Sequence, residues 1–162
     1  PLSEVAGVAR EVVENLRSMG MAMSPCILPA VGRPGFTLGE NEIEIGMGIH
    51  GEPGVEKTTM KTAKEIAAIL LQKILDDYDY AGSEVAVLVN GLGGTPLMEL
   101  YILNYEVQNL LKEKNITAYK TFVGNYTTSL EMTGCSLSLL KLNDKMKTLL
   151  DASCDTPALK ID

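Results

Sequence analysis

The residues that most restrict the fold are Ser83 to Asn90, a nearly unbroken apolar run through Val85–Val89 that passes straight into Gly91-Leu92-Gly93-Gly94-Thr95-Pro96. A run this short and this continuous reads as a strand covered on both faces. Thr95 is a candidate N-cap and Pro96 suits the first helical position. Leu97, Tyr101, Asn104, Val107 and Leu111 then stand in helical register to about Lys114. A strand, a glycine loop and a helix in succession place the chain among layered α/β proteins.

The remaining segments agree. Val5, Val8, Val12, Leu16 and Met19 recur at three- and four-residue intervals and predict a helix over Ser3 to Met19, with Gly20 as its stop. Met21 to Leu28 reads as extended, and the stretch Pro29, Gly32, Pro34, Gly35 breaks regular structure. Strict alternation of Ile43, Ile45, Met47 and Ile49 predicts a strand from Glu42 to His50. A helix is expected over Lys61 to Tyr78, extended segments over Ile116 to Tyr126 and Gly134 to Leu142, a short helix over Asn143 to Leu150, and then a tail. The expected fold class is therefore α/β, a layered domain with a central mixed β-sheet flanked by helices. At 162 residues the chain is one domain in size, able to bury roughly two-thirds of its unfolded surface without disulfide staples.

Charge and composition exclude several roles. A net charge of −7 and a pI near 4.8 oppose the phosphate backbone, so no nucleic acid partner is expected. Cys26, Cys135 and Cys154 are odd in number and form no CxxC pair, which argues against a disulfide framework and a zinc site. Reduced thiols and a cytoplasmic location follow. The longest apolar runs fall far short of the roughly 18 residues that a membrane span needs. Pro1 to Arg10 is no secretory leader, and a start at Pro1 rather than Met suggests a cut end within a longer product.

The strongest chemical candidate is His50, the only histidine. On the expected strand, Ile43, Ile45, Met47 and Ile49 share one face, leaving Glu42, Glu44, Gly46, Gly48 and His50 on the other. Glycines clear space there for a ligand or another backbone, and Glu42 and Glu44 are carboxylates on the side of the ring that could orient it, although at roughly 3.3 Å per residue along a strand Glu42 is remote. A locally bonded polar strand end is the alternative reading. The Gly91 to Thr95 loop matches neither a dinucleotide fingerprint nor a P-loop, so tight strand–helix packing is favoured over phosphate binding. The eight methionines read as adaptable core filler.

The segment Gly46-Met47-Gly48-Ile49-His50-Gly51-Glu52-Pro53-Gly54 resembles the signature of dihydroxyacetone kinases, in their dihydroxyacetone-binding K domain or subunit. Ser24 to Leu38, Val89 to Tyr101 and Gly124 to Leu140 resemble further blocks of that family in the same order. The resemblance implies that residues 1–162 are the C-terminal domain of a K subunit whose N-terminal domain is absent from this chain. It implies that His50 holds dihydroxyacetone as a covalent hemiaminal, with Gly48 and Gly51 at the substrate, for phosphorylation to dihydroxyacetone phosphate. It further implies an inactive domain in isolation, no cofactor on this domain, and Mg with ATP or ADP on a partner L subunit or domain. The partners implied are the N-terminal K domain, the L subunit, an M subunit where a phosphotransferase relay supplies the phosphoryl group, and a second copy in a homodimer. After Gly54 the chain reads Val55-Glu56-Lys57, where many relatives carry arginines. The family also contains non-phosphorylating K-like regulators that bind the ketone or a partner protein.

Overall fold

The computed structural model describes residues 1–162. Its elements are α1 (Leu2–Asn15), β1 (Leu16–Ala22), β2 (Glu42–Ile45), β3 (Glu56–Thr59), α2 (Ala63–Asp77), β4 (Glu84–Gly91), α3 (Leu97–Glu113), β5 (Thr117–Gly124), β6 (Gly134–Lys141), α4 (Asp144–Leu150), β7 (Cys154–Asp155) and β8 (Lys160–Ile161). Six strands form one mixed sheet in the order β3-β2-β1-β6-β4-β5, in which only β4 and β5 run parallel. β7 and β8 form a separate small hairpin in what the sequence presents as a tail.

α2 and α3 cover one face of the sheet. Ile66, Ala67, Leu70, Leu71 and Ile74 of α2 and Leu100, Leu103, Val107 and Leu111 of α3 are buried against Val85, Val87, Val89, Leu137, Leu139 and Met21. Each aliphatic side chain of this size contributes about 1.5–3 kcal/mol when fully buried. The start of α2 carries a complete capping box: Thr62 accepts from the Glu65 N–H, and the Glu65 carboxylate accepts from the Thr62 N–H at 2.8 Å.

The other face is not covered by a helix layer, so the continuous apolar character of β4 does not mean equal burial on both sides. Leu88 is half-buried, and it lines a shallow depression of about 660 Å³ with Ser18, Gly20, Ser136, Ser138, Leu140 and Phe122, among others. β6 shows the same division by alternation: Cys135, Leu137 and Leu139 are buried, whereas Ser136, Ser138 and Leu140 are only partly so.

Three segments depart from the sequence expectations. The first helix stops at Asn15, because Leu16 through Ala22 pair residue for residue with β6, from Leu16 opposite Leu140 to Ala22 opposite Gly134. The three-residue spacing of Leu16 and Met19 is helical and sets them on opposite faces of a strand, yet the sheet claims them. Gly20 is thus a mid-strand residue: a Cβ there would come 2.7 Å from the Met47 carbonyl oxygen. The second strand stops at Ile45 because Gly46 adopts φ +85°, a left-handed conformation open to glycine, and its N–H donates to the Gly20 carbonyl at 2.7 Å. β3 has no apolar alternation to reveal it; Glu-Lys-Thr-Thr is polar, as suits an exposed sheet edge.

Candidate functional site

β2 and β3 are the two arms of a hairpin, paired from Glu42 opposite Thr59 to Ile45 opposite Glu56, and the loop between them is residues 46–55. The Val55 N–H donates to the Ile45 carbonyl at 2.8 Å and closes the loop. Glu44, almost wholly buried, accepts from the Gly54 N–H at 2.7 Å and braces its returning arm. Within the loop the Gly51 N–H donates to the Gly48 carbonyl at 3.1 Å, a four-residue turn with Ile49 and His50 at its centre. His50 therefore stands on a turn rather than at a strand end, and Gly51 follows it at φ +83°.

The floor of this loop is a small second core of Ala22, Cys26, Met47, Leu92 and Met132, against which Phe36 and Ile49 pack. Its members come from segments far apart in the chain. Cys26 and Phe36 lie in the Pro- and Gly-rich region, Met47 and Ile49 in the histidine segment, Leu92 in the glycine loop and Met132 just before β6. The blocks singled out in sequence thus converge here, which is why they hold the turn in place.

The imidazole of His50 is 79% exposed. Its Nδ1 lies 2.6 Å from Glu52 Oε1, while the His50 main-chain N–H donates to Glu52 Oε2 at 3.0 Å. Nε2 makes no hydrogen bond within the chain. The Glu52 main-chain N–H, then the His50 ring and the His50 N–H hold the Glu52 carboxyl below the usual carboxylate range. Gly48 makes this possible, because a Cβ there would collide with the Glu52 carboxylate. Gly51 faces Phe36, whose nearest ring carbon would be 3.9 Å from an added Cβ, so space remains beside the histidine.

On the expected strand Glu42 and Glu44 share the face of the ring, with Glu42 remote from it. Both are occupied elsewhere: Glu42 accepts from the Gly39 N–H at 2.7 Å, and Glu44 holds Gly54. The overlooked partner is Glu52, two residues beyond His50, and its signal is that a turn brings residues i and i+2 together where a strand would separate them. The depression on the open face reaches Gly46, Met47, Gly48 and Ile49, stopping one residue short of His50.

The glycine loop serves packing. The N–H groups of Leu92 and Gly94 donate to the carbonyls of Gly134 and Met132 at 3.2 and 3.0 Å, so they are not free to cradle a phosphate. Thr95 does not cap α3 with its side chain; its hydroxyl instead donates to the Gly134 carbonyl at 2.8 Å and accepts from the Gly134 N–H at 2.9 Å. Burial pushes the Cys135 thiol up to about 12, which keeps it neutral and unreactive. No three His, Cys, Asp or Glu side chains cluster in a metal-holding arrangement.

Comparison with known proteins bears on this geometry. Residues 1–158 match the Dak1 domain. The chain belongs to the Dak1 domain family. This Dak1 domain is 43% identical over 162 residues to the dihydroxyacetone-binding subunit DhaK of PTS-dependent dihydroxyacetone kinase 2 from Listeria innocua, covering 99% of this chain and 49% of that protein. Among solved structures, the dihydroxyacetone kinase operon co-activator Dha-DhaQ matches with a TM-score of 0.86 and 33% identity, over 93% of this chain and 47% of that one. The dihydroxyacetone kinase from C. freundii, in complex with AMP-PNP and Mg2+, matches with a TM-score of 0.79 and 27% identity, over 99% of this chain and 29% of that one. The Dak1 domain described here spans about half the length of the Listeria relative. No helix in it is long and apolar enough to cross a membrane.

Proposed function

We propose that this Dak1 domain is the C-terminal, substrate-anchoring part of the K subunit of a dihydroxyacetone kinase, and that His50 holds dihydroxyacetone as a reversible hemiaminal while a hydroxyl of the ketone is phosphorylated to dihydroxyacetone phosphate. The observation that carries this reading is an exposed imidazole whose Nε2 has no partner, set on a turn in a family member 43% identical to a dihydroxyacetone-binding subunit. A neutral ring nitrogen adds to the electrophilic carbon of a ketone, whereas glycerol has no carbonyl to attack. Gly51 contributes by leaving room beside the ring, and Gly48 by letting Glu52 reach it.

The domain is inactive alone in this reading. The open sheet face and its depression beside Gly48 are where we place the contact with an N-terminal K domain, which would complete the walls of the substrate site. Mg and nucleotide belong to an L subunit, or an M subunit passes the phosphoryl group through a relay; a homodimer of K subunits in the cytoplasm is the expected assembly. Three unpaired cysteines agree with a reducing compartment.

Intact-protein mass spectrometry of the full-length subunit tests the capture. Dihydroxyacetone should add its own mass to the wild type and not to His50→Ala, and glycerol should add nothing to either. Absence of an adduct on the wild type overturns the reading. Supplying L subunit and phosphoryl donor should then yield dihydroxyacetone phosphate; capture without that product identifies a regulatory K-like protein instead of a kinase component.

A further inference from the structure

A histidine with two similar nitrogens must present one of them, and the turn around His50 contains the group that makes this choice. The carboxylate of Glu52 spans two donors: Oε1 lies 2.6 Å from the ring Nδ1, and Oε2 accepts from the His50 main-chain N–H at 3.0 Å. A carboxylate only accepts, so the ring nitrogen facing it must carry the proton. Tautomer and ring orientation are thereby set together, and the lone pair is left on Nε2, which has no partner in the chain and belongs to an exposed side chain. Gly48 supplies the space that the carboxylate fills. The carboxyl is itself held in its charged form by the same contacts.

We propose that Glu52 is a positioning residue for ketone capture: it keeps the proton of His50 on Nδ1 and so makes Nε2 the nucleophilic atom. This deepens, and rests on, the reading that His50 bonds to a ketone. In the step itself the Nε2 lone pair forms the new bond to the carbonyl carbon, and the carbon–oxygen π pair moves onto oxygen. The oxygen takes a proton from water. The ring, now an imidazolium alkylated at Nε2, keeps its Nδ1 proton against the Glu52 carboxylate, so the sum is addition of Nε2 to carbon and of one solvent proton to oxygen. Release is the reverse, and no oxidant or further reactant is consumed.

Glu52→Gln separates this role from simple support of the turn. A glutamine has one acceptor oxygen. If that oxygen keeps the His50 main-chain N–H, the amide NH2 faces Nδ1 and donates to it, which moves the ring proton to Nε2 and removes the nucleophile while the turn stays bonded. The experiment uses full-length protein labelled with 15N-histidine and 15N-glycine, with His50 assigned by the signal missing in His50→Ala, and [2-13C]dihydroxyacetone as the probe of capture. Expected in the wild type are an Nδ1–H tautomer and a tetrahedral 13C signal from the bound ketone. Glu52→Gln should show the proton on Nε2, unchanged backbone amide shifts at Gly51, and an adduct weakened by about tenfold or more, the scale of a lost charge-assisted hydrogen bond.

A wild-type ring protonated on Nε2, or capture that Glu52→Gln leaves unchanged, overturns the role of Glu52 and leaves capture by His50 standing. Wild-type protein that captures no dihydroxyacetone overturns both, because the tautomer then has no addition to serve.

Discussion

Replacing Thr95 with Val should destabilise the chain by about 2 kcal/mol, and the estimate follows from one side chain. Thr95 is almost fully buried, and its hydroxyl joins the end of the glycine loop to the first residue of β6 by donating to the Gly134 carbonyl and accepting from its N–H. Valine keeps the shape and removes both bonds; the Gly134 carbonyl keeps the Leu92 N–H, but the Gly134 N–H loses the Thr95 oxygen. A buried group left unsatisfied costs about 1–3 kcal/mol, so one such loss, with the second bond to the carbonyl also gone and the added methyl as a partial offset, comes to about 2 kcal/mol. With an unfolding entropy of ~2.1 cal/mol/K per residue over 162 residues, or about 340 cal/mol/K in total, the midpoint of thermal unfolding should fall by about 6 °C. Thermal and urea unfolding followed by circular dichroism measure this directly. Thr95→Ser, which keeps the hydroxyl and loses only a methyl, should cost about 1 kcal/mol. A Val variant within a degree of the wild type, or a Ser variant as damaged as Val, would refute the assignment of the effect to the hydroxyl.

Two further substitutions probe other joints. Gly93→Ala places a Cβ against the Leu130 carbonyl at a residue with φ +106°, and should lower stability by about 2 kcal/mol or more in the same urea assay; a neutral result would mean the loop does not lie against residues 129–131. Asp151 is held below the usual carboxylate range first by its hydrogen bond to Lys120 and then by the Tyr119 hydroxyl, while Tyr119, bonded to Asp151, is raised above its usual value. A depressed carboxyl stabilises the fold fully above its unfolded pKa, about 3.9 for an aspartate, and loses that contribution as pH falls through the lower folded value. A raised tyrosine contributes fully below about pH 10 and loses its contribution as pH rises through the higher folded value. Asp151→Asn should therefore differ from the wild type in melting temperature at pH 7 and converge with it toward acid, and its Tyr119 should ionise at lower pH in an ultraviolet titration. Parallel curves down to strong acid would contradict the pairing.

Much of the fold was legible from hydrophobic period alone. α2 buries Ile66, Ala67, Leu70 and Ile74 as its period predicts, but of the register expected for α3 only Val107 and Leu111 are buried: Leu97 and Tyr101 are exposed, and Leu100 and Leu103 are buried in their place. β4, expected to be covered on both faces, leaves Leu88 half-buried. Residues 16–22 show the limit of that reasoning. The spacing of Leu16 and Met19 is helical, and pairing with β6 across a separation of more than a hundred residues overrides it. β3 could not be read at all, because an edge strand of Glu, Lys and Thr has no buried face to impose a pattern.

For the site, local chemistry in the sequence pointed to His50 and its glycines, since a single histidine among residues without side chains is visible without knowing where the chain goes. Only the tertiary structure decided that Gly46 turns the chain out of β2, that a turn rather than a strand carries the ring, and that Glu52 rather than Glu42 or Glu44 meets Nδ1. The physical reason is range. Side-chain period and composition are properties of neighbours along the chain, whereas the direction of an imidazole is set by main-chain closure between Ile45 and Val55 and by a floor assembled from Ala22, Cys26, Leu92 and Met132.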